Sequence, residues 1–466
     1  MSRVVCVSSR IAPPRRAAVS GGLAIGVLAA LRQRGGLWFG WSGETSQGDP
    51  DAPNQVVRDG IAYATIDLPE AIAELYYDGF ANGTLWPLFH YFLGSFHYDV
   101  REFEAYDRVN ALFARRLTPL LAPYDIVWVH DYHLIPLAEK LRAAGVMQPI
   151  GLFFHIPFPQ LEVLRALPVY AELMRALLAY NLVGFQTETD RRGFLGAVAA
   201  LWGAGTVQDD QSIRYGGRRV LTGVFPIGVD VDGIARVAKE TQSSDAVQRM
   251  VRGLLQRRLV IGVDRLDYSK GLVERFAAYE QFLESNPEQI GQVTYLQIAP
   301  LSRPNVSAYA ELRATLERAT GRTNGRFADT DWTPIRYLNR NFPHDTLMGF
   351  LRAAQVCLVT PARDGMNLIA KEFIAAQEPD DPGVLILSKL AGAAVELVDA
   401  LLVNPYDGPA ISRAIQQALT MPLAERRERH QRLVQVLRAN DIAAWHSRFI
   451  DCLQSGTTTA ASLPSS

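Results

Sequence analysis

Residues 360–373 read TPARDGMNLIAKEF, a stretch that places charged and polar side chains close together. The apolar run AAQVCLVT that leads into it is typical of a buried strand, and LIAKEFIAAQ has helical spacing. The polar cluster is therefore predicted at a strand-to-helix turn. In an open α/β sheet such turns line the ligand crevice, and the first amides of the helix attract anions.

Each polar group in this stretch has a ligand-binding interpretation. Asp364 can accept hydrogen bonds from sugar hydroxyls, and Glu372 can accept one from a ribose. The amides of Gly365, Met366 and Asn367 can hold other oxygens. The alternative is an Asx-type helix cap with Glu372 on an exposed face.

Two further turns of this half of the chain carry cations. DRLDYSKG follows the apolar run RRLVIGV and contains Arg265 and Lys270, while LSRP follows VTYLQIAP and contains Arg303. A planar guanidinium and a mobile ammonium ahead of a helix beginning at Gly271 suit a diphosphate. The alternative is a solvated loop with a surface salt bridge to Asp267.

The first half shows two comparable turns. VSSR places Arg10 just past the first predicted strand, and SGGLAIG opens the next helix with Gly21 and Gly22. The spacing is not GxGxxG and the chain has no GK pair of a P-loop. Two interpretations of the glycine pair remain: it lets a phosphate approach the backbone amides, or it forms an ordinary tight turn.

Histidines and a carboxylate follow the next two predicted strands. WVHDYHL presents His130, Asp131 and His133, and FFHIPFP presents His155. No completing ligand of the HExxH kind is nearby, so we predict sugar-hydroxyl contacts here rather than a metal site. The alternative for His133 is a semi-buried histidine held by a hydrogen bond. In the ring-rich segment LYYDGFANGTLWPLFHY most rings are predicted core, but Tyr77 and Trp86 can stack on a sugar or bond a phosphate.

Strand-like runs alternate with helical patterns along the whole chain, which predicts βαβ units around mostly parallel sheets. The first series of strand-like runs includes RVVCVSS, YDIVWVH and IGLFFHI. The second series consists of RRLVIGV, VTYLQIAP, QVCLVTP, GVLILS and ALLVNP. A chain of 466 residues is expected to form two domains, and a charged helical stretch places their boundary around residues 230–250.

Composition excludes several other classes of protein. The 47 basic and 48 acidic residues nearly cancel, so no overall field favours nucleic acid or an anionic membrane. Cys6, Cys357 and Cys452 form no metal-like or redox-like pair, and no signal peptide or membrane-spanning run is recognisable. We therefore expect a cytoplasmic protein.

Nine motifs, in order along residues 3 to about 450, resemble those of the trehalose-6-phosphate synthases, retaining GT-B glycosyltransferases of family 20. They are SGGLAIG, GLWFGWSGE, LWPLFHY, IVWVHDYHL, FFHIPFP, DRLDYSKG, SRP, TPARDGMNLIAKE and ALLVNPYD. The family joins glucose from a nucleotide sugar to glucose 6-phosphate. One departure is Ser9 in SSR, where the family commonly has asparagine.

The resemblance implies an α/β GT-B fold in which two Rossmann-like domains face each other across a cleft. Residues 1–235 would bind the acceptor and residues 236–437 the nucleotide sugar. A helix at about 438–454 would cross back to the first domain, and 455–466 would be a flexible tail.

The resemblance also implies roles for individual residues, carried over by matching position. Catalytic roles fall to Arg265, Lys270, His155 and Asp364. Acceptor contacts fall to Arg10, Tyr77, Trp86, Asp131 and Arg303. Donor contacts fall to Gly21, Gly22, Arg265, Lys270, Phe342, Asp364, Gly365, Met366, Asn367, Leu368, Ile369, Ala370, Lys371 and Glu372.

The family is thought to use front-face attack, in which the departing phosphate takes the acceptor proton, so neither a metal nor another cofactor is expected. UDP-glucose is the expected donor, although GDP- and ADP-glucose also occur in the family. A homodimer or homotetramer is expected, and a separate trehalose-6-phosphate phosphatase would act downstream. The alternatives are a synthase that uses glycerol 3-phosphate and a sugar-phosphate-binding regulator without turnover.

Overall fold

A computed structural model describes residues 2–11, 26–28, 30–32, 35–50, 52–302 and 307–458 of the chain. The chain divides into two compact units, one of residues 1–226 with 443–466 and the other of residues 227–442. Each unit contains a mostly parallel sheet with helices, which confirms the predicted α/β class.

The sheet of the first unit has nine strands among the described residues, in the order β3-β4-β2-β1-β5-β6-β7-β9-β8. Their bounds are β1 Val4–Arg10, β2 Gly36–Ser46, β3 Asn54–Arg58, β4 Ile61–Pro69, β5 Ile126–His130, β6 Ile150–Phe153, β7 Leu182–Phe185, β8 Ile213–Tyr215 and β9 Arg218–Val224. Strands β3 and β8 pair antiparallel at the two edges, and the pairings between them are parallel. The carboxyl ends of β1, β5 and β6 therefore meet at one edge, where Arg10 is the last residue of β1 and where Asp131 and His155 follow β5 and β6.

The helices of this unit are α1 Glu70–Glu74, α2 Trp86–Phe89, α3 Val100–Leu117, α4 Leu137–Ala143, α5 Leu161–Leu164, α6 Tyr170–Leu177 and α7 Glu188–Trp202. Residues 26–28 and 30–32 are also helical, within the predicted helix that follows β1. Between α1 and α2 the chain forms a π-helix, Leu75–Leu85, which aromatic content alone did not predict. Helix α3 begins where the Asp99 side chain accepts a hydrogen bond from the amide of Arg101.

The second unit has six described strands in the order β12-β11-β10-β13-β14-β15, and every described pairing is parallel. Their bounds are β10 Arg258–Val263, β11 Val293–Ile298, β12 Ile335–Leu338, β13 Val356–Val359, β14 Val384–Ser388 and β15 Leu401–Val403. The helices are α8 Val231–Thr241, α9 Asp245–Arg252, α10 Leu272–Ser285, α11 Ser307–Phe327, α12 His344–Ala353, α13 Leu368–Ala376, α14 Gly408–Thr420 and α15 Leu423–Ala439. The five strands predicted here are confirmed, whereas β12 was not predicted because its sequence, IRYL, is only four residues long and includes a charged residue.

A last helix, α16, runs over Ile442–Thr458. The predicted helix 438–454 begins later than expected, because α15 ends at Ala439 and Asn440 leaves the helical conformation while its side chain donates to Glu396. Residues 455–458, predicted as tail, are helical.

Within the first unit, α16 packs on the sheet through aromatic rings. The ring of Phe449 stacks on Trp128 with centroids 5.1 Å apart, and Trp445 lies 4.9 Å from the same indole. A Cβ on Gly184 would come within 2.7 Å of Phe449, so this close approach requires glycine.

A buried ion pair joins three strands of the second unit. Arg275 of α10 donates from Nη1 to Asp264 Oδ2 at 2.5 Å and to Gln297 Oε1 at 3.0 Å, and from Nε to Thr360 Oγ1 at 2.9 Å. Nη2 also donates to the Lys270 carbonyl at 3.1 Å. Burial raises the pKa of Asp264, and Arg275 is the largest opposing influence. The arginine therefore fastens the ends of β10, β11 and β13 to the turn that carries Lys270.

We expect Asp264→Asn to lower the free energy of unfolding by about 3–5 kcal/mol, because it leaves the Arg275 charge buried without its counter-ion. Urea denaturation of the full chain measures the change. Glu317→Gln makes the same chemical change in the exposed pair of Arg313 and Glu317 and should cost less than about 1 kcal/mol. Equal losses in the two variants would contradict the role given to Asp264.

Candidate active site

The turn between β10 and α10 is shaped by local hydrogen bonds and one glycine. Asp267 accepts from the amide of Ser269 at 2.9 Å, which begins a 3₁₀ turn over Tyr268–Lys270. Gly271 then adopts φ of 62° and starts α10. A Cβ there would lie 2.4 Å from the Thr360 carbonyl oxygen, so glycine lets this turn approach the end of β13.

Lys270 and Asp364 meet where the sequence predicted diphosphate and sugar contacts. Lys270 Nζ lies 2.6 Å from Asp364 Oδ2, and the two side chains are only 10% and 12% exposed. Asn367 Nδ2 donates to the same carboxylate oxygen at 3.1 Å. Arg265, directly after β10, is exposed. The pair places a largely buried cation and carboxylate from two different turns in contact, an arrangement that suits a ligand with both phosphate and hydroxyl groups.

The loop ahead of α13 is held by backbone contacts rather than by a simple Asx cap. The Asp364 amide donates to the Leu390 carbonyl at 3.2 Å, and the Gly392 amide donates to the Asp364 carbonyl at 3.1 Å. Asn367 has φ of 82° and makes no side-chain cap hydrogen bond, so the predicted cap is not the one formed. This backbone conformation presents the first amides of α13 in a fixed position.

Residues along α13 differ in how far their side chains can serve a ligand. Leu368 and Ile369 are partly exposed, and Ala370 is buried. Lys371 Nζ lies 2.6 Å from Glu396 Oε2 and 2.7 Å from the Ile227 carbonyl. The Lys371 ammonium therefore bonds to groups of the second unit itself. The predicted contact of Lys371 with the donor stays a prediction, and it concerns the backbone of this residue.

Glu372 is buried, so its alternative placement on an exposed face is wrong. Its Oε1 lies 3.6 Å from His344 Nε2, and this contact raises the pKa of His344. Phe342, the other predicted donor residue nearby, is partly exposed, with the Arg340 guanidinium 4.4 Å from its ring centroid and the Phe350 ring at 5.3 Å.

In the first unit, Arg10 and Tyr77 share one aromatic neighbour. The Arg10 guanidinium lies 5.4 Å from the ring centroid of Trp41, and the Tyr77 ring meets the same indole edge-on at 5.6 Å. Tyr77 also stacks on His133 at 5.6 Å. Gly43 has φ of 93°, and a Cβ there would lie 2.5 Å from Arg10 Nη2, so the guanidinium passes directly over this glycine. Trp41 thus contacts both a cation and a phenol.

The row of rings continues to Trp86. Its centroid lies 4.0 Å from His90 and 5.9 Å from Tyr132, and Tyr132 lies 4.0 Å from His133. The predicted acceptor residues Tyr77 and Trp86 are therefore linked through two rings. Trp86 is only 5% exposed, so most of its surface packs inside the unit.

Asp131 and His155 are brought together at the ends of β5 and β6. Asp131 has φ of 74°, and its Oδ1 accepts from the His155 amide at 3.2 Å. His155 Nε2 lies 3.1 Å from His130 Nδ1. Burial lowers the pKa of His155 to about 3 and holds that of His130 well below its usual value. Both rings are therefore neutral near pH 7, which suits hydrogen bonds to hydroxyls.

Ser9, the departure from the family motif, directs its side chain into the interior of the first unit. Its Oγ lies 2.9 Å from the Tyr76 hydroxyl in the interior. Arg10 is oriented instead by Trp41.

Three predicted residues, Gly21, Gly22 and Arg303, lie outside the described residues. Among residues that are described, no group of three or more His, Cys, Asp and Glu side chains is arranged to hold a metal. The described helices also include none long and apolar enough to cross a membrane.

Sequence reasoning missed Trp41, Tyr132, His344 and Arg275. Tyr132 in WVHDYHL had a signal, since it lies two residues beyond the end of β5 and next to Asp131, whereas Trp41 in GLWFGWSGE lies inside β2. His344 and Arg275 lie within helices and gave none.

Comparison with known proteins covers nearly the whole chain and confirms the resemblance drawn from the motifs. A trehalose-6-phosphate synthase of Klebsiella pneumoniae is 49% identical over 97% of this chain and 95% of its own length. The crystal structure of a UDP-forming α,α-trehalose-phosphate synthase from Burkholderia vietnamiensis is 48% identical, with a TM-score of 0.95 over 100% of this chain and 99% of that one. A Burkholderia xenovorans synthase in complex with glucose-6-phosphate is 46% identical, with a TM-score of 0.93 over 97% and 100%. The family model Glycosyltransferase family 20 matches residues 14–455, and the chain belongs to this family.

Proposed function

We propose that the protein transfers glucose from UDP-glucose to glucose 6-phosphate with retention, giving α,α-trehalose 6-phosphate and UDP. The observation that carries the proposal is the contact of Lys270 with Asp364, which joins the cation that we assign to the phosphate and the carboxylate that we assign to the sugar. The full-length similarity to named synthases supports the same reaction.

The donor is assigned to the second unit. Lys270 and exposed Arg265 neutralise the diphosphate, while Asp364 and the first amides of α13 hold the glucose. Glu372 accepts from the ribose, and the ring of Phe342 lies near the base. Glu372 is oriented for this task by His344, at 3.6 Å.

The acceptor is assigned to the first unit. Arg10 and Tyr77 hold the phosphate of glucose 6-phosphate, and both contact Trp41. Trp86 and Asp131 contact the sugar. Asp131 also orients the backbone of His155, which contacts the glucose that is transferred.

In the proposed step the acceptor hydroxyl oxygen attacks the anomeric carbon from the face that UDP leaves. The bond from that carbon to the diphosphate oxygen breaks, the new glycosidic bond forms, and the acceptor proton moves to the departing diphosphate. Lys270 and Arg265 stabilise the charge that develops on the leaving group. No side chain has to act as nucleophile or base, and we propose that neither a metal nor another cofactor is required.

Three wider features are also proposed. We propose assembly into a homodimer or homotetramer, a cytoplasmic location, and a separate phosphatase that removes the phosphate from the product. The cysteine pattern supports the reducing compartment. The similarity to trehalose-6-phosphate synthases, one of them in complex with glucose-6-phosphate, favours glucose 6-phosphate as acceptor over glycerol 3-phosphate.

The function is tested by measuring nucleotide release from UDP-, GDP- and ADP-glucose with glucose 6-phosphate, followed by NMR of the product. Two α-anomeric signals with UDP-glucose are expected. Glycerol 3-phosphate serves as the control acceptor. Turnover with glycerol 3-phosphate alone, or binding of every donor without turnover, would refute the proposal.

Lys270→Ala is expected to lower kcat about a hundredfold or more, because it removes a preorganised charge from the leaving diphosphate. Lys239→Ala removes an exposed lysine of α8 in the same unit and should leave kcat unchanged. Steady-state rates at saturating donor measure both variants. Near-normal turnover of Lys270→Ala would contradict the role that we assign to Lys270 at the leaving diphosphate.

Arg10→Ala is expected to raise KM for glucose 6-phosphate about tenfold or more with a smaller change in kcat, since a phosphate remote from the reacting carbon mainly contributes binding. Arg58→Ala, which truncates an exposed arginine of β3, is the matched control. An unchanged dependence of the rate on acceptor concentration in Arg10→Ala would show that the phosphate lies elsewhere.

A further inference from the structure

A separate cavity of about 510 Å³ opens in the second unit. Its walls come from α9, from strands β10 to β12, and from the segment that leads from β12 to α12. The volume falls within the range of small-molecule sites, about 300–1,000 Å³. Of the residues predicted to bind substrate, only Phe342 lines it, so it is a different space from the turn of Lys270 and Asp364.

Much of the cavity wall is apolar. Leu254, Leu259, Leu296 and Ile335 line it, and each is at most 5% exposed. The ring of Phe350 adds an aromatic surface. A ligand here would therefore bury an apolar or aromatic body against side chains that are already ordered by the sheet.

The remaining wall is strongly basic. Arg249, Arg336 and Arg340 line the cavity, and none of the described lining residues carries a carboxylate. Arg336 is anchored by a hydrogen bond to the Gly253 carbonyl at 2.5 Å, and burial, with a smaller contribution from Arg257, lowers its pKa. Three guanidinium groups around one apolar space repel one another, and a bound anion would relieve that repulsion.

Arg340 already shows how an aromatic ligand would be met. Its guanidinium lies 4.4 Å from the ring centroid of Phe342. The same group can stack on a ligand ring while its outer nitrogens bond an anionic oxygen.

We propose that this cavity is a second ligand site, which binds an organic anion with an apolar or aromatic body, such as an aryl phosphate, while the substrates are bound. Neither part of such a ligand suffices alone. Inorganic phosphate lacks the apolar body, and an aromatic cation is repelled by the arginines.

The test is isothermal titration calorimetry of the full chain with 1-naphthyl phosphate in the presence of saturating UDP and glucose 6-phosphate. We expect one molecule to bind per chain, and no detectable heat from inorganic phosphate or 1-naphthylmethylammonium at the same concentrations. Displacement of the probe by UDP or glucose 6-phosphate would overturn the proposal, because the probe would then occupy a substrate site. Absence of probe binding would overturn it as well.

Two matched pairs of variants on α9 locate the site. Arg249→Glu should weaken probe binding by at least about tenfold, because attraction is replaced by repulsion. Arg252→Glu, one turn further along and not in the lining, should change it less than about twofold. Ala246→Trp should fill the cavity and abolish binding, whereas Val251→Trp, on the exposed side of the helix, should not.

Equal effects within either pair would place the probe elsewhere and contradict the proposal. Titration of the same samples with UDP alone verifies that each variant is folded. It also separates the two hypotheses, since loss of UDP binding bears on the proposed function and loss of 1-naphthyl phosphate binding bears on the second site.

Discussion

The ion pair of Arg275 with Asp264 is the interaction on which the donor half of the molecule depends. It is fully buried, and its remaining hydrogen bonds reach Gln297, Thr360 and the carbonyl of Lys270. A charge in such a place costs free energy unless every partner is present. When the partners are present, the Arg275 side chain fixes the ends of three parallel strands and the turn that carries Lys270. The cation that we propose for the diphosphate is thus preorganised by the buried side chains behind it.

The acceptor half reaches a comparable order by a different means. The Arg10 guanidinium rests on Trp41, which also contacts Tyr77. Rings have few rotatable bonds, so a row of them holds its shape at little entropic cost. Neutral His130 and His155 extend this pattern, since burial keeps both uncharged and leaves them as hydrogen-bond partners for hydroxyls.

The sequence predicted those parts of the molecule that have a strong local pattern. Strands β10, β13 and β14 are short apolar runs bounded by polar turns, and the cations and carboxylates that follow them lie where parallel strands must end. The π-helix at Leu75–Leu85 was not predictable, because its hydrogen bonds have no distinctive residue period. The contact of Glu372 with His344 joins residues of separate helices, which only the tertiary fold brings together. The later start of α16 likewise depends on Asn440 finding Glu396.

A formal net charge of −1 means that the protein does not attract anionic substrates as a whole. Each anion must be met by a small group of cations, and every such group needs its own means of staying in place. Lys270 is held by Asp364 and the core beneath it, Arg10 by Trp41, and Arg340 by Phe342. Because Phe342 belongs both to the predicted base site and to the wall of the second cavity, a shift of Arg340 toward an anion in that cavity would move the ring against which the donor base is expected to lie.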